Sequence, residues 1–187
     1  MALLSEGADA ARLPLVDRDQ ASLTVRALYP DDRDASNITK ALAASPDTFA
    51  AMAPFLSQVM NPTTVDLATK EVVVLRVSAL NRCAYCVPTH QVAASRAGLP
   101  PEVVAALAST DPPDGRLEPA HRALARWCDR IVTDAGAVDD TLLAEMRAHF
   151  ADHEIVELTV LAGAITTLNY LASAAALPLD PGTVAAL

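Results

Sequence analysis

No charged residue interrupts the sequence between Leu158 and Leu179. At about 1.5 Å of rise per residue, such a stretch is long enough to cross a bilayer as a helix. Its content argues for another setting. Thr159, Thr166, Thr167, Asn169, Tyr170 and Ser173 punctuate it, and alanines fill much of the rest. We read it as a long helix buried in a protein core or between subunits. A helix that is apolar on every side needs other elements around it, so this segment commits the chain to a packed assembly.

The rest of the chain reads the same way. Of 187 residues, 52% are hydrophobic but only 4% aromatic. Alanine and leucine favour helices, whereas strands call for alternating runs of β-branched and aromatic residues. No convincing period-two run occurs, so the expected class is all-α. The length suits one domain with a real core. A net charge of −9 and scattered basic residues disfavour nucleic acid, whose binding depends on neutralised phosphates. No basic amphipathic stretch offers a surface for anionic lipid. Residues Met1–Leu13 carry Glu6 and Asp9 and no continuous apolar run, unlike a secretory signal. The expected location is cytoplasmic.

Punctuation divides the chain into helices. Residues 1–20 read as an arm, followed by a short helix over Ser22–Leu28 that ends at Tyr29-Pro30-Asp31-Asp32. Ser36 is placed to cap a helix to about Ala44. Ser45-Pro46 is a start signal for one reaching Val59. Thr63 or Thr64 starts the next, to Leu80, with Leu67, Val74, Leu75 and Val77 on its apolar side. After Asn81-Arg82, a helix runs from the cysteines to Gly98, where Gly-Leu-Pro-Pro stops it. Further helices are expected over Glu102–Ser109, Glu118–Thr133, and from an Asp139 cap to Phe150. Asp152 is expected to cap the last, which ends near Ala176 before Pro178 and Pro181. Asp111–Gly115 is the clearest linker.

The chemistry concentrates between Glu71 and His90. Cys86 and His90 are four apart, so on a helix they share a face. An imidazole there can take the thiol proton, and the thiolate is the nucleophile. Pro88 has no N–H to return to Ala84, so the helix should begin near Tyr85. That leaves Cys86 in the first turn, where the helix dipole favours a thiolate. Cys83 is close enough to form a disulfide with it. Glu71 lies ~14 Å back from Leu80 along one helix, and His90 lies ~11 Å beyond Cys83 along the next. In an antiparallel hairpin the two are nearly level, and a carboxylate can orient the imidazole.

Taken singly, these residues have plainer readings. Glu71, beside Lys70, reads as a solvated helix position, and His90 as a structural or surface residue. The cysteine pair suits redox chemistry, or zinc with His90 and either Glu71 or Cys128 as a fourth ligand, or neither. Cys128 reads as a small buried apolar residue. His121, His149 and His153 are expected at helix ends on the surface. Tyr85 is placed either to line a substrate pocket or to pack in the core.

Together, Glu71, Cys83, Cys86 and His90 resemble the signature of the carboxymuconolactone decarboxylase/alkylhydroperoxidase D-like superfamily: Glu, eleven residues, Cys-x-x-Cys, three residues, His. Asn81, Leu75, Gly98 and the closing segment 152–179 are similar to the usual surroundings. The resemblance spans about residues 35–180. It implies a helical bundle with a central αα-hairpin carrying the Cys-x-x-Cys site, as a single domain over 36–187 behind an arm over 1–35. It also implies trimers or hexamers. The implied activity is a thiol-dependent peroxidase, with no cofactor or resident metal. Cys86 would be oxidised to a sulfenic acid and Cys83 would resolve it to a disulfide, with Glu71 and His90 as the proton relay. The implied partners are a hydroperoxide substrate and a dithiol reductant protein or small thiol. A more exposed Cys83 would instead be the one to meet that reductant. The chain departs from the best-known alkylhydroperoxidase D proteins at Tyr85, where they carry a histidine. The true decarboxylases lack the cysteine pair. The other readings are a decarboxylase-type lyase using Glu71 and His90, and a non-enzymatic redox sensor or zinc-stabilised oligomer.

Overall fold

A computed structural model of the chain describes residues 11–29, 35–112 and 115–187. The start of the arm, the turn at Pro30–Asp32 and the middle of the Asp111–Gly115 linker lie outside the described residues. Among those described, the elements are helices, with no strand. They are α1 (Leu23–Arg26), α2 (Asn37–Leu42), α3 (Pro46–Met60), α4 (Leu67–Leu80), α5 (Cys86–Arg96), α6 (Pro101–Leu107), α7 (Pro119–Asp134), α8 (Asp140–Arg147), α9 (Asp152–Ala175) and α10 (Pro181–Val184), with a 3₁₀ turn over Ala135–Ala137. The all-α expectation holds.

The bundle is organised around α4, which packs against α5, α7 and α9. Every residue from Thr69 to Ala79 is buried. A helix enclosed on all sides must satisfy each polar side chain it carries. Those of α4 do so by tying it to its neighbours. The Lys70 ammonium donates to the backbone oxygens of Val59 (2.9 Å) and Asn61 (2.5 Å) and pairs with Glu157 on α9. The Arg76 guanidinium pairs with Asp129 on α7 and donates to the Ser109 carbonyl. Ser78 accepts from Asn169 of α9, and Asn169 accepts from Asn81. Glu71 faces α5. The solvated position expected for Glu71 is therefore corrected. Its neighbours Val72–Leu75 and its own face are all enclosed, and Lys70 is buried with it.

α4 also starts later than expected. The Asp66 carboxylate, not Thr63 or Thr64, caps it by accepting from the Thr69 N–H at 2.8 Å. Leu67, expected on the apolar side, is 43% exposed. At α9 the expected cap is also displaced. Asp152 is the first helical residue and pairs with Arg147, while the Glu154 carboxylate accepts the Ala151 N–H. Asp139 caps α8 as expected, from the Leu142 N–H. Pro181 does more than end α9, since it opens the short α10.

The uncharged segment forms the greater part of the α9 helix and the stretch just after it. Among the described residues α9 is the one helix long and apolar enough to cross a membrane. Here Ile155, Leu158, Leu161, Ala162, Ile165, Asn169, Ala172 and Ala175 are buried in the bundle. Cys128 is fully buried, and burial pushes its thiol pKa well up. His149 and His153 are exposed as expected. His121 is not: it is largely enclosed in the first turn of α7, 3.3 Å from Glu118. Burial pushes its pKa down, against the nearby Glu118 and Asp66 carboxylates.

Candidate redox site at the α4–α5 hairpin

The turn between α4 and α5 delivers the first cysteine. Arg82 adopts the left-handed conformation, with φ of 53°. Its N–H donates to Ala79 O (2.9 Å), and the Cys83 N–H donates to Ser78 O (3.0 Å). This is the paired-bond C-cap in which the left-handed residue is usually glycine. An arginine there costs about 1 kcal/mol of backbone strain. Its effect is to reverse the chain so that Cys83 lies directly beneath the start of α5.

α5 begins at Cys86. Pro88 is thus the third helical residue, where the N–H has no intrahelical partner and its absence costs nothing. Cys83 and Cys86 form a disulfide with Cα atoms 5.2 Å apart. The Cys86 N–H, the first free amide of the helix, donates to Cys83 Sγ at 3.1 Å. The helix N-terminus therefore stabilises negative charge on Cys83 more directly than on Cys86. Cys83 is wholly buried and Cys86 is 6% exposed. The alternative in which a more exposed Cys83 meets the reductant does not match this burial, because the C-cap turn tucks Cys83 under the helix.

His90 stands one turn after Cys86 on the same helix, and its Nδ1 lies 3.0 Å from Glu71 Oε2 on α4. A carboxylate can only accept, so Nδ1 carries the proton and Nε2 is left as the basic nitrogen. Glu71 is buried and His90 partly so. The hairpin thus brings together all four residues singled out in the sequence. With both sulfurs in a disulfide, neither is a thiolate ligand in the zinc arrangement considered above.

Tyr85, between the cysteines, is 5% exposed and takes the packed position. Its hydroxyl donates to Asp180 Oδ2 (2.6 Å) and accepts the Ile38 N–H (3.4 Å). Asp180 Oδ1 accepts the Asn37 N–H at 2.7 Å, and the Asn37 side chain donates to Pro178 O. Burial and the Asp180 carboxylate push the Tyr85 pKa far up, so the hydroxyl stays a donor. Asn37 and Asp180 were not legible as site residues. Asn37 lies 46 residues before Cys83 and Asp180 lies 94 after Cys86, and no spacing rule links them to the pair. The one available signal was Tyr85 itself, a buried hydroxyl in need of a partner.

A helical bundle with this hairpin has counterparts among known proteins. Residues 46–127, from α3 into α7, match the carboxymuconolactone decarboxylase family. Over that stretch, which takes in the whole α4–α5 hairpin, the chain is similar to the carboxymuconolactone decarboxylase/alkylhydroperoxidase D-like superfamily. Among solved structures, it is similar to the alkylhydroperoxidase AhpD core of an uncharacterised peroxidase-related protein from Ralstonia eutropha JMP134. That match has a TM-score of 0.84 at 18% identity and covers 96% of each chain. A protein of unknown function from Agrobacterium tumefaciens, described as a putative antioxidant defence protein AhpD, matches with a TM-score of 0.65 at 29% identity. It covers 74% of this chain and 96% of its own. A cysteine-to-alanine variant of the debrominase Bmp8, in complex with 2,3,4-tribromopyrrole, matches with a TM-score of 0.75 at 14% identity, covering 99% of this chain and 97% of its own. No curated protein is significantly similar in sequence.

Proposed function

We propose that the protein is a thiol-dependent peroxidase that reduces hydroperoxides through a Cys83/Cys86 dithiol–disulfide cycle. The observation that carries this reading is the disulfide at the mouth of α5, one helical turn from an imidazole held by a buried carboxylate. In the reduced enzyme, His90 Nε2 takes the Cys86 thiol proton, and Glu71 supports the imidazolium. The Cys86 thiolate attacks the terminal oxygen of the hydroperoxide. The O–O bond breaks, the alkoxide collects the proton from His90 and leaves as an alcohol, and Cys86 becomes a sulfenic acid. Cys83 then attacks the Cys86 sulfur. Water leaves and the disulfide forms. An external dithiol protein or small thiol restores both thiols and is itself oxidised to a disulfide.

The amide at Cys83 supports this division of labour. Attack by a reductant on Cys86, the less deeply buried residue of the pair, expels Cys83 as a thiolate already hydrogen-bonded by the Cys86 N–H. The remaining parts of the proposal are a cytoplasmic setting, no membrane or nucleic-acid partner, and a homo-oligomer of three or six chains. Steady-state peroxide consumption in the presence of a dithiol tests the mechanism. Cys86→Ser is expected to abolish it. Full activity in that variant contradicts the mechanism, and lactone-acid turnover surviving replacement of both cysteines by serine points to the lyase.

A further inference from the structure

Between α4, α7 and α8 lies an open cavity of about 620 Å³. None of Glu71, Cys83, Cys86 and His90 lines it. Its size falls within the range of small-molecule sites, roughly 300–1,000 Å³. Its wall includes the guanidinium of Arg76, a side chain only 1% exposed. Nε of Arg76 is taken by Asp129 and Nη1 by the Ser109 carbonyl, each at 2.5 Å. Among the described residues, Nη2 has no hydrogen-bond partner. A guanidinium held in place by two partners, with one amino group unspent and its side chain lining a cavity, is free to take an acceptor from outside the chain.

The rest of the wall specifies what kind. Its carboxylates are occupied: Asp129 holds Arg76, Glu145 holds Arg126, and Asp139 caps α8. Arg126 and Arg130 are four apart on α7, so they share a face, and among the described residues the exposed Arg130 guanidinium has no ion-pair partner. The unspent groups are therefore donors. Three arginines against three carboxylates leave the wall with no net charge, which favours a single negative charge over a phosphate dianion. Leu80, Pro112 and Leu142 supply apolar surface beside these donors. We propose that this cavity binds a small organic monocarboxylate, its head group on Arg76 and Arg130 and its apolar body against Leu80 and Leu142. The site is separate from the cysteine centre and does not depend on the peroxidase reading.

Calorimetric titration of the full chain with benzoate, and with its uncharged analogue benzamide, tests this. Benzoate is expected to bind saturably at one site per chain, and benzamide at least about tenfold more weakly. Arg76→Leu strands Asp129 and endangers folding, so Arg130→Ala carries the test. This variant should keep the wild-type melting temperature and lose about tenfold in benzoate affinity. Cys86→Ser should bind benzoate as the wild type does. The proposal is overturned by the absence of saturable binding at millimolar benzoate, by equal binding of benzamide, or by unchanged affinity in Arg130→Ala. It is also overturned by affinity lost in Cys86→Ser, which would place benzoate at the cysteine centre.

Discussion

At the scale of single residues, Glu71 shows how burial converts an ordinary helix glutamate into a specific device. In sequence it sits beside a lysine and looks solvated. In the fold, both are enclosed, and each is satisfied by a different neighbour: Lys70 by Glu157 and two carbonyls, Glu71 by His90. In the proposed relay, the carboxylate fixes the imidazole tautomer and faces the positive charge that develops on it. Glu71→Gln keeps an acceptor for Nδ1–H but removes the charge. It is expected to slow peroxide reduction by about 10- to 100-fold while leaving the melting temperature nearly unchanged. Wild-type rates in this variant would leave the carboxylate a purely structural part. The pairing itself was legible from helix arithmetic, because rise per residue and a short turn place residues 71 and 90 level. The burial was not legible, because it depends on α7 and α9 closing over α4 from remote parts of the chain.

At the scale of elements, the cysteine loop is a junction of three distant segments. α2 supplies the Ile38 and Asn37 N–H groups, the loop supplies the Tyr85 hydroxyl, and the segment after α9 supplies the Asp180 carboxylate between them. Asp180 therefore positions the loop that holds both sulfurs. Asp180→Ala leaves a buried hydroxyl and a backbone N–H without their acceptor, at a cost of about 1–3 kcal/mol each. For a chain of this length that lowers the melting temperature by several degrees. Tyr85→Phe should cost less, because Asp180 keeps the Asn37 N–H. In a double-mutant cycle the two changes should be clearly non-additive, and strict additivity would remove the coupling. Helix boundaries set by proline and glycine, as at Ser45-Pro46 and Gly98, were legible to within a residue or two. Boundaries set by side-chain competition were not. Asp66 outcompetes Thr63 and Thr64 as a cap because a carboxylate is the stronger acceptor for a free helix N–H.

At the scale of the whole molecule, α9 accounts for both the solubility problem posed by its sequence and the proposed assembly. One face is buried against α2, α3, α4 and α7. On the other, Val156, Val160, Gly163, Thr167, Tyr170 and Ala174 recur at helical spacing, with Val156 62% and Tyr170 66% exposed. The sequence announced a helix with too little polar surface for one side to face water, but not which side would stay uncovered. A second chain on this stripe fits the proposed oligomer. Val160→Glu is expected to convert trimers or hexamers to monomers in sedimentation, because a carboxylate would be desolvated in the interface. A monomeric wild type, or a variant of unchanged mass, contradicts that assembly. Such a failure would leave the hairpin chemistry untouched.

That chemistry is tested most directly in a single turnover without any reductant. Fully reduced protein is mixed with one equivalent of hydroperoxide, and the remaining thiols are titrated while the oxidised peptide is located by mass spectrometry. The account predicts that each hydroperoxide consumed removes a pair of thiols and yields the Cys83–Cys86 disulfide, with Cys128 still reduced. It predicts a sulfenic acid trapped on Cys86 when Cys83 is serine. Thiols that survive the hydroperoxide, or oxidation of Cys86 no faster than that of free cysteine, would contradict it.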